Sequence, residues 1–276
     1  MEHWLSVCYD YDGSFEGFLT CVYEAYVHRE YPAAFTGPED DQISLFPERR
    51  VETNREHAGR VRASLRKRMG PAAALWVVNG FLAALPEREL HLFRFIALGY
   101  ERGPGLVQDL TDDRVAALHK ALTHLNSEAH LLKGFVRFSD QEGLLVAEIE
   151  PKNRVLPLLR AHFCARYPRE RFVIYDRTHK EALFYDVGRW AIVPLAQFSL
   201  AAPEGEERSY RALWRRFYDT IAIEGRYNPK CRMTHMPKRY WHTMTEFQED
   251  PPEAGQPRAV MASPPPSASS TPAIAR

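Results

Sequence analysis

The stretch GFVRFSDQEGLLVAEIE, residues 134–150, marks the point at which the spacing of apolar residues changes along the chain. Before this stretch, apolar residues recur every three or four positions, which is the spacing of amphipathic helices. Within it, residues 135–138 and 144–149 are rich in apolar residues, as β-strands are, and Gly143 lies in the short link between them. The stretch therefore predicts a β-hairpin that separates a helical N-terminal half from a half that contains a sheet.

The N-terminal half is expected to be mostly helical. Residues 4–9 predict a short edge strand, and Ser14 is a suitable N-cap for the first helix. Residues 32–52 combine Pro, Gly and acidic residues and predict a surface loop. Thr111, followed by two aspartates, is expected to begin the long helix that ends at Gly134. The predicted helices of this half span residues 14–29, 53–69, 71–85, 86–98 and 111–133.

The C-terminal half is expected to hold a small antiparallel sheet. Short polar turns join the strands that follow the hairpin, and short turns favour antiparallel pairing. The predicted strands span residues 171–175, 182–185 and 189–193, and the predicted helices span residues 156–167, 206–223 and 237–247. The expected fold class is α+β, with a helical N-terminal half and a small antiparallel sheet flanked by helices.

The domain organisation follows from the change in composition after residue 247. We expect one folded unit over residues 1–247, with a helical part over about 14–133 and a sheet-containing part over about 134–247. Residues 248–276 are rich in Pro, Ser and Ala and contain no aromatic residue. This tail is expected to be disordered, because it cannot bury enough apolar surface to offset the entropy of the chain.

Composition and missing motifs exclude several classes of function. The chain has 36 basic and 36 acidic residues, and this balance argues against indiscriminate coating of duplex DNA. The N-terminus lacks a secretion signal, and no apolar run approaches the roughly 18 residues that span a bilayer, so we expect a cytoplasmic protein without membrane contact. The four cysteines form no C-x-x-C pair, and the phosphate-loop, dinucleotide and serine-hydrolase motifs are missing. No cofactor or metal is predicted.

The stretch RYNPKCRMTHMPKRYWH, residues 226–242, contains five Lys or Arg residues and no acid. Basic side chains bind phosphate, and aromatic rings beside them stack on the bases of single-stranded nucleic acids. The candidate nucleic-acid-binding residues are Arg226, Lys230, Arg232, Lys238 and Arg239 for phosphate, Tyr240 and Trp241 for stacking, and Lys133 and Arg137 as an extension of the surface. The alternative is that the aromatic residues pack a terminal helix onto the core or bind another protein.

Glu128 and His130, near the end of the long helix, are candidates for catalysis. A histidine with a nearby carboxylate suits general acid/base chemistry. The alternative is structural, because a histidine at the C-terminal end of a helix is stabilised there by the helix dipole.

His162 and Asp176 are the catalytic candidates of the sheet-containing half. Asp176 would contribute to a nuclease-like magnesium site if it faced Glu148 or Glu150 across the sheet. Glu148 and Glu150 lie on the same face of their strand, so a shared site is geometrically allowed. A charged face exposed to solvent explains the same residues without chemistry.

Five ordered blocks between residues 7 and 247 resemble one bacterial family. The blocks are YDGSFEGFLTCVYEAY (11–26), EAHLLKGFVRF (128–138), EPKNRVLPLLRAHFCARYP (150–168), YRALWRRFYDTI (210–221) and MPKRYWHTMTEF (236–247). This family is associated with DNA metabolism or DNA repair, but the molecular function of its members is unknown. Its members are encoded beside a radical-SAM protein of DNA modification or repair, and related domains precede a uracil-DNA glycosylase-like domain.

This resemblance implies nucleic acid as the partner, and it implies no particular catalytic residues. Because the overall charge is neutral, we expect DNA to be recognised at damaged or single-stranded sites. The chain itself contains neither a glycosylase domain nor the C-x-x-x-C-x-x-C motif of radical-SAM enzymes. We therefore expect an accessory protein of DNA repair that binds nucleic acid and works with a separate radical-SAM or glycosylase-like partner. Two alternatives remain open: a DNA-processing enzyme that uses a His and carboxylate site, and a protein scaffold without nucleic-acid contact.

Overall fold

The structure of the chain, a computed structural model, describes residues 4–38, 45–198, 205–220, 233 and 236–248. Within these residues, a helix-rich N-terminal half with a small parallel sheet is followed by a five-stranded sheet flanked by helices. This arrangement confirms the predicted α+β class. One hydrophobic core runs through both halves, because buried residues from Val7 to Met244 belong to the same cluster.

The N-terminal sheet consists of β1 (Leu5–Asp10), β2 (Glu30–Thr36) and β3 (Glu48–Arg50), in the order β2-β1-β3 with both pairs parallel. Helix α1 (Phe15–His28) connects β1 to β2. The Ser14 hydroxyl accepts a hydrogen bond from the Gly17 backbone N–H at 2.9 Å, which confirms the predicted N-cap.

Two predictions for this region are wrong. The strand predicted at an edge, β1, is the central strand of the sheet, and the loop predicted over residues 32–52 contains most of β2 and all of β3. Pro32 favours a loop in the sequence, yet β2 is an edge strand, where a residue without a backbone N–H is tolerated. Strands β1 and β2 are parallel and are joined by α1, so no tight turn in the sequence indicates that they pair.

Three long helices, α2 (Arg55–Gly80), α3 (Arg88–Arg102) and α4 (Asp113–Phe135), complete the N-terminal half. The two helices predicted on either side of Pro71 are the two parts of α2, which is kinked at Gly70, where φ is 81° and the backbone is not helical. Side chains of Asn54 and Asp112 cap α2 and α4 by accepting backbone N–H hydrogen bonds. Both helices begin two residues later than the starts predicted at residues 53 and 111.

The second sheet has the order β4-β5-β6-β7-β8. Its strands are β4 (Ser139–Gln141), β5 (Leu144–Ile149), β6 (Arg171–Asp176), β7 (Glu181–Asp186) and β8 (Arg189–Pro194), with helix α5 (Leu156–Arg166) between β5 and β6. The predicted hairpin is present as the antiparallel pair β4 and β5. Its first strand, however, lies at residues 139–141 and not at the predicted 135–138, since α4 continues to Phe135. The sheet is nevertheless mixed, because α5 returns the chain so that β6 runs parallel to β5.

The two faces of this sheet have different surroundings. Ile149, Phe172 and Leu183 point into the main core. On the opposite face, which we call the outer face, Val146 and Val173 belong to a separate small cluster. Side chains of the strands therefore serve either the core or the outer face, according to the two-residue alternation.

Helix α6 (Gly205–Thr220) and the C-terminal segment, defined as residues 236–248, follow the sheet. The helix predicted over 237–247 is a pair of 3-10 helices, Lys238–Thr243 and Thr245–Phe247. Arg226, Lys230 and Arg232 lie outside the described residues, as does the predicted tail beyond Gln248. None of the described helices combines the length and apolar composition that crossing a bilayer requires.

Candidate nucleic-acid interface

Glu128 joins three parts of the chain. The side chain lies near the end of α4 and is 3% exposed. Its Oε2 accepts hydrogen bonds from the backbone N–H and the side-chain Nδ2 of Asn153, at 2.8 and 2.6 Å, and its Oε1 accepts from the Lys152 N–H at 3.1 Å. The Tyr240 hydroxyl donates to Oε1 at 3.0 Å, and the Arg239 guanidinium lies 3.3 Å from the same oxygen. Glu128 thus connects α4, the loop after β5 and the C-terminal segment.

The electrostatics of this cluster keep Glu128 ionised. Burial by itself would raise the pKa of the Glu128 carboxyl, but the hydrogen bonds from Asn153, Lys152 and Tyr240 outweigh burial and lower the pKa. Burial, followed by the negative charge of Glu128, raises the pKa of Tyr240 to about 12, so this phenol keeps its proton. Both carboxylate oxygens accept hydrogen bonds from groups of the protein, so Glu128 links parts of the fold, and its catalytic role stays a prediction.

The structure does not bring the predicted histidines to a carboxylate partner. His130 is exposed, whereas Glu128 is buried, since residues two positions apart lie on different faces of a helix. His162 is half-buried on α5, and burial, with the charges of Lys133 and Arg166, lowers its pKa and favours the neutral imidazole. The acid/base pair predicted on α4 is therefore not formed in the described residues.

Asp176 ends β6 and is completely buried. Its Oδ1 accepts hydrogen bonds from the backbone N–H groups of Thr178 and His179, at 3.0 and 3.1 Å. Its Oδ2 lies 2.7 Å from His179 Nδ1. These bonds fix the turn between β6 and β7, so the carboxylate predicted to be catalytic is engaged in a structural turn.

The register of the sheet also separates the residues of the hypothetical magnesium site. Glu148 pairs with Tyr175 and points to the outer face, whereas Asp176 pairs with Ile149 and points to the core. Glu150 lies elsewhere, with Oε2 2.7 Å from His242 Nε2. Among the residues that the structure describes, no group of three or more His, Cys, Asp or Glu side chains is placed to hold a metal ion.

A second buried carboxylate anchors the C-terminal segment. The Glu246 side chain is 1% exposed, and its two oxygens accept hydrogen bonds from Arg137 Nη2 and Nε at 2.7 and 3.2 Å. The indole N–H of Trp214 on α6 also donates to Glu246, at 3.3 Å. Arg137, a candidate for nucleic-acid binding, therefore fastens the segment to the start of β4 through a bidentate ion pair.

The candidate residues of the C-terminal segment differ in accessibility. Lys238 is exposed, and the Arg239 side chain is 44% exposed although it pairs with Glu128. Tyr240 is 1% exposed, so its ring cannot stack on a base in this structure, which corrects that prediction. The Trp241 ring is half-buried and stacks on Phe247 with the ring centres 4.5 Å apart. The segment thus presents its cations to solvent and uses its aromatic rings mainly for packing.

A small cavity lies between the outer face of the sheet and the C-terminal segment, with a volume of about 60 Å³. Its lining includes three arginines, Arg137, Arg177 and Arg211, together with Glu148, His242 and Ser139. The guanidinium of Arg211 donates a short hydrogen bond to the Ser139 hydroxyl, which joins α6 to β4. The arginines come from three separate places in the sequence.

Sequence reasoning missed Arg177 and Arg211. Arg177 lies in a turn predicted only as a link between strands, and Arg211 lies on a helix whose apolar and aromatic residues dominate its pattern. Their proximity depends on the order of the strands and on the position of α6, which no local spacing reveals. The concentration of Arg in the RALWRR part of α6 is the one signal that points to this region.

The fold and the site define a mixed α/β protein with an arginine-lined recess at the β4–β5 end of its main sheet. Residues 86–246, more than half of the 276 residues, match the model of the family described as a domain of unknown function, DUF4130, and the chain belongs to that family. The matched region contains all three arginines of the cavity. A comparison with curated proteins found no match.

Proposed function

We propose that the protein binds DNA, at damaged or single-stranded sites, through the C-terminal segment and the adjoining end of the sheet. In this proposal it is an accessory protein of DNA repair. The chemical step belongs to a separate partner of the radical-SAM or glycosylase-like kind, as the sequence resemblance implies.

The observation that carries the proposal is the gathering of basic side chains from distant parts of the chain. Arg137 precedes β4, Arg177 follows β6 and Arg211 lies on α6, and all three meet beside the segment that carries Lys238 and Arg239. Glu246 neutralises Arg137 and Glu128 pairs with Arg239. Arg177 and Lys238, which are both exposed, add positive charge to this region and would attract the backbone of a nucleic acid.

The position of the predicted catalytic residues supports an accessory role. Glu128 and Asp176 have their carboxylate oxygens engaged by backbone and side-chain donors that hold the fold. Because a general acid or base must reach the reacting proton, we assign the chemistry to a partner and not to these groups.

Binding of short fluorescent oligonucleotides tests the proposal. Anisotropy is measured with single-stranded, duplex and uracil-containing DNA at about 50 and about 200 mM salt, and the samples are then run on a gel to detect product. We expect salt-sensitive binding without product. Lys238→Ala should weaken binding severalfold and reduce the salt slope by about 0.7, as the loss of one phosphate contact to a single strand requires.

Lys120→Ala is the matched control, because Lys120 is an exposed lysine on α4 away from the C-terminal segment. It should bind like the unchanged protein. Absence of binding at about 50 mM salt, or equal effects of the Lys120 and Lys238 substitutions, would contradict the proposal. Conversion of the DNA to product would favour the DNA-processing enzyme, and a protein partner retained after nuclease treatment would favour the scaffold.

A further inference from the structure

The cavity between the outer face and the C-terminal segment differs from an ordinary surface groove in its charge. Three guanidinium groups and one carboxylate, that of Glu148, line it. Arg137 is paired with Glu246, which lies outside the lining, so its charge is partly compensated. Arg177 is exposed and makes no ion pair within 4.0 Å among the described residues. The lining therefore favours an anion.

Neutral donors complete the lining. Ser139 and Thr245 supply hydroxyl groups to the lining, and Ser139 is 5% exposed, whereas the Thr243 hydroxyl donates its proton to the Tyr240 carbonyl at 2.9 Å. Hydroxyl and guanidinium groups are the donors that proteins use to bind phosphate oxygens, and the planar guanidinium offers two parallel N–H groups to one oxyanion. The residues come from β4, the end of β6, α6 and the C-terminal segment, so the folded sheet sets their positions.

The size of the cavity restricts the ligand. A buried water needs at least about 10–15 Å³. A volume of about 60 Å³ therefore has room for one tetrahedral oxyanion of five heavy atoms and not for a nucleoside. The carboxylate of Glu148 also disfavours a ligand with several adjacent charges, such as a polyphosphate, because like charges repel at short distance.

We propose that this cavity is a binding site for a single phosphate group, and that in the DNA complex it holds the terminal phosphate of a strand end. Arg177 attracts the anion, Glu148 opposes it, and the hydroxyl groups orient it. The choice of DNA as the source of the phosphate rests on the proposed function, whereas the anion site itself does not.

Three single variants test the site. Inorganic phosphate binding is measured by titration calorimetry, and strand binding is measured by anisotropy with two single strands that differ only in a 5′-phosphate or a 5′-hydroxyl. Arg177→Ala should weaken phosphate binding about tenfold, whereas Glu148→Gln should strengthen it severalfold because the one acidic lining charge is removed. Arg171→Ala is the matched control, since Arg171 is an exposed arginine at the start of β6, whereas Arg177 directly follows the end of that strand.

The expected result with DNA is tighter binding of the 5′-phosphorylated strand, with the preference lost in Arg177→Ala and kept in Arg171→Ala. No phosphate binding, or equal binding by the Arg177 and Glu148 variants, would overturn the anion site. If both strands bind equally and Arg177→Ala changes nothing, the terminal-phosphate assignment fails while the proposed function stands. If phosphate binds in the expected order but neither strand binds, the site stands and the proposed function fails.

Discussion

The buried Glu128 carboxylate connects helix α4, the loop after β5 and the C-terminal segment through hydrogen bonds. Its oxygens accept hydrogen bonds from the backbone N–H and the side-chain amide of Asn153, from the backbone N–H of Lys152 and from the hydroxyl of Tyr240. The side-chain oxygen of Asn153 in turn accepts from the Ala84 N–H at 2.8 Å. A buried charge is costly unless such partners replace the lost water, and here the partners come from parts of the chain far apart in sequence.

Glu128→Gln should lower the free energy of unfolding by roughly 2–3 kcal/mol, because the amide replaces one acceptor by a donor that faces the donors of Asn153 or Lys152. Urea unfolding measures the loss. Glu170→Gln, an exposed residue after α5, is the control and should change stability little. Equal stability of the two variants would show that the Glu128 cluster contributes nothing.

The contribution of Glu128 should also depend on pH. Its pKa is lower in the folded protein than the value of about 4.3 expected for an unfolded chain, so the stability it confers is present above about pH 4.3. That stability is lost as the pH falls through the lower, folded pKa. The difference in the free energy of unfolding between the unchanged protein and Glu128→Gln should therefore become smaller between about pH 7 and about pH 3. A constant difference would contradict this assignment.

At the scale of elements, α2 and α3 approach closely at Gly99. A Cβ placed on Gly99 would overlap the Met69 methyl group and would lie 2.9 Å from its Cγ. Met69 is completely buried, so moving its side chain aside would disturb the packing of its neighbours. The close contact between these helices therefore requires a residue without a side chain, although the position is helical and its backbone would accept any residue.

Gly99→Ala should destabilise the protein by about 1–3 kcal/mol through overpacking. Gly59→Ala is the matched control on α2, because Gly59 is exposed and a Cβ added to it would meet no heavy atom within 4 Å beyond its own helix backbone and chain neighbours. That control should be stabilising by about 0.5–1 kcal/mol, since alanine restricts the unfolded chain more than glycine does. Thermal unfolding should show a lower midpoint temperature for Gly99→Ala and a higher one for Gly59→Ala. A Gly99→Ala variant more stable than the unchanged protein would contradict the packing argument.

At the scale of the whole molecule, the C-terminal segment closes the structure. Two buried carboxylates, Glu128 and Glu246, hold it through Arg239 and Arg137. Tyr240 of the segment also packs in the main core, the same cluster of buried residues that contains Val7 near the N-terminus. The region matched by the family, residues 86–246, therefore shares one core with the N-terminal sheet and helices that precede it.

Glu246→Gln should loosen the segment without unfolding the rest of the chain, because it weakens the bidentate pair with Arg137 and leaves the Glu128 cluster intact. Hydrogen exchange measures this locally: amides of residues 236–248 should exchange faster, whereas those of α2 should not change. Glu170→Gln serves as the control here too. Unchanged exchange over 236–248 would show that the Arg137 pair does not anchor the segment.

Much of the architecture follows from local sequence patterns. The helices, the Ser14 cap and the hairpin at Gly143 are predictable because their signals lie within a few residues of one another. The parallel partners of β1 and the parallel pair β5 and β6 are not, since each pair is formed across a helix and has no turn of its own.

The candidate site divides in the same way. The basic character of residues 226–242 is visible in the sequence, and so is the presence of Glu128 beside His130. The sequence does not show that Glu128 is buried, that Tyr240 lies in the core, or that Arg177 and Arg211 meet at one cavity. Burial and distance between remote residues depend on the packing of complete elements.

By itself, the sequence determined the class of fold, the order of most helices and strands, and the location of a basic region, because these depend on spacing and composition along the chain. Tertiary structure alone decided which charges are buried as anchors and which face a cavity. The physical reason is that the register of β5 and β6 sends Glu148 and Asp176 to opposite faces, and only the order of the strands and the position of α6 bring the three arginines together.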